Sequence, residues 1–219
     1  MFRFLARISY ALVFPLYCPA CGQIWEEGRG WLCPRCWENL PAAGLGIWAR
    51  NRNLRRRVMV AFAYDEVTRE LVHQMKFQGR VDIAEEIGAQ TAKRIQGELD
   101  GSMISCVVPV PLHPVRLRER GFDQNLVIAR EIAAGLSLPL RADLIRRTRN
   151  RPPQSRLSNI ERLSNLQDAF APVVSSPKPV PEAALLVDDV IHTGATAAGC
   201  MEALKRAGIK QTMVVAAFG

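Results

Sequence analysis

Apolar and polar positions alternate along this chain in blocks that read as strands and helices by turns. Val58–Tyr64 is a continuous apolar run of strand length. Val67–Phe77 then places Leu71, Val72 and Met75 at helical spacing, and Gly79 breaks it. Val81–Leu99 reads as a second helix, Ile104–Val108 as a strand closed by Pro109-Val110-Pro111, and Asp123 as the cap of a helix running to about Ala134. A short strand is expected at about Leu144–Arg147 and a final one at Gln211–Phe218. Strands alternating with helices predict an α/β fold with a largely parallel sheet flanked by helices.

Within that pattern Ala183–Thr196, AALLVDDVIHTGAT, stands out. The apolar run Ala183–Val187 suits a strand buried on both faces. Asp188 and Asp189 follow it, then the turn His192-Thr193-Gly194-Ala195-Thr196. From Thr196, residues Ala197, Cys200, Met201, Leu204 and Ala207 keep helical spacing, and Gly208 is a stop. Ligands of open α/β sheets bind beyond the carboxyl ends of the strands. The acids are therefore expected at the ligand edge, where they would hold ribose hydroxyls. The turn offers backbone N–H groups at a helix N-terminus, Gly194 allows close approach, and the hydroxyls of Thr193 and Thr196 add donors, which suits a phosphate. The alternatives for the acidic pair alone are a bare Mg²⁺ site or a solvated loop. The whole string resembles the 5-phosphoribosyl 1-diphosphate signature of type I phosphoribosyltransferases, except that His192 stands where those proteins usually have a second Thr.

A second motif lies near the start. Cys18-Pro-Ala-Cys21 and Cys33-Pro-Arg-Cys36 are two CxxC pairs with eleven residues between them. Four thiolates so spaced fit one tetrahedral Zn²⁺. Two disulfides or redox pairs are the other readings, and the absence of a recognisable signal peptide disfavours disulfides. In residues 1–17 the uncharged apolar stretch is short, broken by Pro15 and followed by Cys18 rather than a small-residue cleavage site. Leu5, Ile8 and Leu12 share a helical face, so a short amphipathic helix is expected, and a cytoplasmic protein. Trp25, Trp31 and Trp37 are expected to pack around the knuckles, and Cys106 and Cys200 to be buried thiols. The division expected is residues 1–45 for the N-terminal helix and zinc module and residues 58–219 for the α/β domain, with Pro41–Asn53 as linker.

Charge adds one constraint. The net charge of +8 points to anionic partners, phosphorylated substrates or nucleic acid. Arg50, Arg52, Arg55, Arg56 and Arg57 form one basic run. Arg116, Arg118 and Arg120, just past the strand ending at Val108, form another whose guanidinium forks suit a diphosphate. Hydrophobic residues make up 48% of the chain, enough for a core, and no stretch reaches the roughly 20 apolar residues of a membrane span.

Three further segments extend the resemblance. PVPLHPVRLRERGFDQN (residues 109–125), Lys76-Phe77 before Gly79, and the spaced Gln154, Leu157, Ser158, Arg162, Asn165 and Phe170 resemble the ComF family of competence-associated, phosphoribosyltransferase-like proteins. The N-terminal knuckles are also typical of that family, so the resemblance covers nearly the whole chain. Asp123 stands where the family usually has Asn. The resemblance implies a type I phosphoribosyltransferase-like domain that binds phosphoribosyl diphosphate with Mg²⁺. Lys76, the three arginines and residues 192–196 would bind substrate, and Asp188 and Asp189 would serve the chemistry at C1. Gln154, Arg156 and Arg162 would lie on a loop that closes over the diphosphate; an ordinary solvated loop is the alternative. It also implies a link to DNA uptake, its machinery and single-stranded DNA. A non-catalytic nucleic-acid or nucleotide binder built on the same cradle is the second reading.

Overall fold

The structure, a computed structural model, describes residues 17–24, 31–45, 58–99, 104–148, 169–173 and 179–219. The expected helix in residues 1–17, Trp25, the Arg50–Arg57 run and the loop bearing Gln154, Arg156 and Arg162 lie outside the described residues.

A five-stranded sheet carries the architecture. Its members are β1 (Gly44–Leu45), β2 (Val58–Phe62), β3 (Cys106–Pro109), β6 (Ala183–Val190) and β7 (Gln211–Phe218). The order across it is β1-β2-β7-β6-β3, parallel throughout except for antiparallel β1. The helices are α1 (Pro34–Glu38), α2 (Glu66–Phe77), α3 (Val81–Ile95), α4 (Pro114–Arg120), α5 (Gln124–Gly135) and α6 (Ala195–Arg206). The expected α/β architecture is thus the observed one. Two elements escaped the hydrophobic pattern. Strand β1 is a two-residue piece inside the Pro41–Asn53 stretch read as linker. Strand β5 (Phe170–Pro172) was also not expected; it pairs antiparallel with β4 (Ile145–Arg147), the short strand expected at about Leu144–Arg147, as a separate ribbon.

The sheet is covered on both faces, so its central strands are apolar without alternation. In β6 the odd positions Leu185 and Val187 face one core with Leu71, Met75, Ile83, Ile87, Ile128 and Ile132. The even positions Ala184 and Leu186 face the other, with Ala197, Cys200, Leu204, Leu144 and Phe170. Cys106 and Cys200 are fully buried in that second core, as expected of apolar thiols. Helices α3 and α5 meet closely at Gly88: a Cβ there would stand 2.8 Å from the Ile128 carbonyl oxygen and 2.7 Å from the Glu131 Cβ. Helix α2 is capped by Asp65, whose carboxylate accepts from the Thr68 N–H while the Thr68 hydroxyl accepts from the Asp65 N–H. It starts just past the carboxyl end of β2 and its penultimate residue, Lys76, lies against Asp189 of β6, so it spans the carboxyl edge of the sheet. Among the described residues no helix is long and apolar enough to cross a membrane.

The cysteine segment is fastened to this body by polar contacts. Glu86 of α3 accepts from the Trp31 backbone N–H at 2.6 Å and from the Trp37 indole N–H at 2.5 Å. Trp37 is buried and packs on Phe62 at 5.6 Å between ring centres. The Arg80 guanidinium stacks 4.9 Å from the Trp31 ring. Arg94 donates to the Leu40 carbonyl and sits over Phe62. Burial raises the Glu86 pKa, although both tryptophan donors oppose it.

Candidate functional site

Strand β6 runs to Val190, three residues beyond the apolar stretch that marked it in the sequence. Asp188 and Asp189 therefore sit within the strand, both buried, rather than on a loop past it. The reason is registry: Asp188 pairs with Ala216 and Val190 with Phe218 of β7, and the Ile191 N–H still donates to the Phe218 carbonyl. Successive strand residues point to opposite faces. Asp189 follows Leu185 and Val187 toward α2 and α5, while Asp188 follows Leu186 toward Cys200 and Arg147.

Each carboxylate has partners. Asp189 Oδ2 lies 2.9 Å from Lys76 Nζ and accepts from Gln124 Nε2 at 3.2 Å, and its Oδ1 accepts from the Val190 N–H at 2.7 Å. Asp188 Oδ1 accepts from the Asp189 N–H at 3.1 Å and from Asn125 Nδ2 at 3.4 Å. Gln124 and Asn125 begin α5, capped by Asp123 through its contact with the Leu126 N–H at 3.1 Å, as the sequence suggested. Their amide nitrogens face the acids, so Gln124 Oε1 and Asn125 Oδ1 are left buried with no partner among the described residues. Burial and the neighbouring charge of Asp189 push the Asp188 carboxyl up to about 7, against the opposing pull of Lys76.

The turn follows at once. Gly194 has φ 74°, the left-handed region, and precedes the first residue of α6. No described side chain accepts from the N-cap side of that helix in the way Asp65 and Asp123 do for theirs; the one local contact is a long 3.4 Å one from the Ala195 N–H to Thr193 Oγ1. The first-turn N–H groups of a twelve-residue helix thus point out beside the acid pair. His192 and Thr193 are exposed, Ala195 and Thr196 half-buried. The His192 ring stands edge-on to Tyr64 at 5.5 Å.

The arginine block forms helix α4. At about 100° per residue Arg116 and Arg120 share a face and Arg118 lies on the far side. Arg116 is exposed and paired with Glu119 at 2.8 Å. Arg120 is half-buried, with its pKa lowered by that burial, and feels the charge of Asp189. The structure so gathers Lys76, Arg120, Asp188, Asp189 and residues 192–196 at one edge. It adds four residues the sequence did not single out: Gln124, Asn125, Tyr64 and Arg147. Arg147, on β4, stacks over Phe170 at 5.5 Å, and its Nε is buried without a partner among the described residues. Only the polarity of Gln124-Asn125 at a helix start hinted at any of these.

The four cysteines of the two knuckles also come together. Their Sγ atoms all lie within 4.8 Å of one another. The Cys21 and Cys33 sulfurs are 3.8 Å apart, which matches the edge of about 3.8 Å in a tetrahedron with metal–sulfur bonds of about 2.3 Å. The Cys33 N–H donates to Cys18 Sγ at 3.5 Å. Burial works to raise the Cys18 pKa, but the surrounding backbone donors outweigh it and bring the thiol down to about 6. The set fits a metal ion.

Comparison with known proteins agrees with the motifs. No family model matches the chain. Competence protein F of Haemophilus influenzae is 26% identical over 164 residues, which span 72% of this chain and 70% of that one. The DNA utilization protein YhgH of Salmonella typhimurium is 29% identical over 221 residues and that of Escherichia coli K12 28% over 223, each match spanning 96% of this chain and 93% of the relative. Among solved structures, a hypoxanthine phosphoribosyltransferase from Staphylococcus aureus matches with a TM-score of 0.37 at 11% identity, over 66% of this chain and 69% of that chain. The protein is a homologue, at modest identity over most of its length, of competence protein F and DNA utilization protein YhgH, the ComF family its motifs resemble.

Proposed function

We propose that the carboxyl edge of β6 binds 5-phosphoribosyl 1-diphosphate, in a cytoplasmic protein that serves DNA uptake or utilization, as the names of its relatives suggest. One observation carries the reading. Acceptors and donors are segregated within a few residues: two carboxylates and two amide oxygens without a partner among the described residues on one side, uncapped helix N–H groups on the other. A ribose offers hydroxyl donors to the first set and its 5-phosphate accepts from the second.

In this reading Asp188 and Asp189 hold the ribose hydroxyls, and Thr193–Thr196 wrap the 5-phosphate. Lys76 and Arg120 face the diphosphate, with Arg116 and Arg118 on the outer rim and Gln154, Arg156 and Arg162 on the covering loop. Lys76 now neutralises Asp189. A bound diphosphate competes for that ammonium while the ribose hydroxyls replace it on the carboxylate, so the ligand exchanges partners with a contact already made. The reaction implied is glycosyl transfer. The C1–oxygen bond to diphosphate breaks, the electron pair leaves with the diphosphate, and a nitrogen nucleophile forms the new bond. The protein's part is positioning and stabilising charge. Asp188 and Asp189 already spend oxygens on protein donors and form no cage of their own. Mg²⁺ would come with the diphosphate and lean on substrate oxygens.

Zinc is the metal we assign to Cys18, Cys21, Cys33 and Cys36, because a closed four-thiolate set offers no open position and suits a structural ion. It would fix residues 1–45 as a module against the domain of residues 58–219.

Calorimetry with phosphoribosyl diphosphate and Mg²⁺ tests the reading. Wild-type protein should bind and Gly194→Val should not, since a β-branched residue resists φ 74° and stands between the phosphate and the helix amides. Equal heats for both variants would remove the turn from the site, and no heat with wild type would end the proposal.

A further inference from the structure

Arg147 is the charged side chain at this edge that the sugar-phosphate reading leaves unused. A guanidinium offers donors only, in a rigid fork. Arg147 is half-buried on β4 and its Nε is wholly buried, yet no described residue accepts from it. Other arginines of this fold are committed: Arg141 is clamped by Asp143 and the Pro179 carbonyl, Arg94 donates to the Leu40 carbonyl, and Arg80 forks onto Asp82. Arg120, half-buried and likewise without a described partner, already faces the diphosphate. The buried ring of Phe170, 5.5 Å from the Arg147 guanidinium, closes one side of it. Burial lowers the Arg147 pKa, and the nearby Asp188 charge only partly opposes this. A half-buried cation without a counter-ion is unfavourable, and a bound anion relieves it.

We propose that Arg147 anchors a carboxylate carried by the acceptor, so that the acceptor is a nitrogen compound with an acidic group rather than a neutral base. The faces of β6 decide which ligand the guanidinium serves. Lys76 and Arg120, assigned to the diphosphate, lie toward Asp189. Arg147 lies toward Asp188, on the other face. A nucleophile that reaches C1 opposite the departing oxygen enters from the side away from the diphosphate. Its nitrogen lone pair forms the bond to C1 as the C1–oxygen pair leaves with the diphosphate, any proton on that nitrogen passes to water, and the carboxylate stays unreacted on Arg147. Charge selects a carboxylate over a phosphate. A dianion would meet the Asp188 carboxylate, whereas one planar monoanion matches one guanidinium fork. The 5-phosphate already has the amides that follow Gly194. The inference rests on the ribose-phosphate reading of this edge and adds the chemical class of the acceptor.

The test is calorimetry on the full chain with matched pairs of probes that differ in one carboxylate: orotate against uracil, nicotinate against nicotinamide, and anthranilate against aniline. The protein is first saturated with ribose 5-phosphate, which fills the ribose site but has no diphosphate to lose. Wild type should bind the carboxylated member of at least one pair about tenfold or more tightly than its partner. Arg147→Met should bring that member down to the level of its partner, while binding of the neutral partner and of phosphoribosyl diphosphate changes little. Arg147→Lys keeps the charge without the fork and should recover part of the preference. No preference for the carboxylate in any pair with wild type would overturn the proposal, whether or not the variants fold. So would a preference that survives in Arg147→Met, or a loss of phosphoribosyl diphosphate binding in Arg147→Met as large as the loss of the carboxylated probe. Repeating the titrations without ribose 5-phosphate, beside calorimetry of wild type with phosphoribosyl diphosphate, separates the two readings. Normal sugar-phosphate binding without a carboxylate preference sinks the anchor alone. A carboxylate preference that needs Arg147, without sugar-phosphate binding, sinks the ribose site alone.

Discussion

Replacing Lys76 by Met removes the one ammonium that, among the described residues, contacts the buried acid pair, while keeping most of the side chain's apolar stem. In the folded protein Nζ lies 2.9 Å from Asp189 Oδ2, with the lysine side chain 19% and the aspartate 7% exposed. Breaking a buried pair costs about 3–5 kcal/mol because one charge is left uncompensated. Two features place this case lower. The lysine is partly in water, and Asp189 keeps donors in Gln124 and the Val190 N–H. A loss of about 2–3 kcal/mol follows, or roughly 5–10 °C in Tm for a chain of this size. The loss should also depend on pH. Without the ammonium, which now pulls the Asp188 pKa down, folded Asp188 holds its proton more tightly, whereas an unfolded aspartate ionises above about pH 4. Folding stability therefore falls further at pH 8 than at pH 5. Thermal or urea unfolding at the two pH values reads both effects. Adding Asp189→Asn to Lys76→Met should recover part of the loss, since it removes the charge left alone. A Tm within 1 °C of wild type at pH 8, or a deficit of equal size at both pH values, would refute this account of the pair.

Asp188 supplies a related prediction. Its folded pKa, raised by burial from 3.8 to about 7, exceeds the unfolded one, so the folded state binds more protons between these values and stability falls as pH rises through that window. Asp188→Asn should flatten that fall and stabilise the protein at pH 8 by about 1–2 kcal/mol while weakening sugar-phosphate binding; an unchanged pH profile in urea unfolding counts against it. Metal analysis should find about one zinc per chain, and Cys21→Ser should lose it. Because Trp31 and Trp37 tie the cysteine segment to Glu86, removing the metal with a chelator should also lower the Tm of the whole protein, by unfolding measurement. Gly194→Val should cost about 1–2 kcal/mol of stability from its left-handed backbone alone, a test of strain that needs no ligand.

How much of this was legible in the sequence depended on how local the cause was. Strand β7 and the helix starting at Gln124 have their signals within the segment: an unbroken apolar run, and an aspartate that caps the next turn. The full length of β6 was not legible from its apolar residues. Asp188, Asp189 and Val190 join the strand through register with β7, and buried acids are tolerable there only because Lys76 and residues 124–125 supply donors from elsewhere in the chain. Helix α4 was not read from the sequence, because the alternation of Arg116, Arg118 and Arg120 carries no helical period. The helical stop, Gly121 in the left-handed region, and Pro114 at the helix start were the better signals. The β4–β5 ribbon joins strands separated by more than twenty residues, so the short strand expected at about Leu144–Arg147 gave no sign of its partner. Arg147 could not be placed near Asp188 without it. The knuckle spacing, by contrast, brought the four cysteines together in advance, since each CxxC turn fixes two ligands locally.

The central claim is that a ribose-phosphate sits at the carboxyl edge of β6, and a crystal structure of the protein grown with phosphoribosyl diphosphate and Mg²⁺ tests it most directly. The account predicts the 5-phosphate over the amides that follow Gly194, ribose hydroxyls against Asp188 and Asp189, and Lys76 Nζ turned from Asp189 to the diphosphate. Ligand density elsewhere on the molecule, or a bound ligand with the Lys76–Asp189 contact still at 2.9 Å, would contradict it.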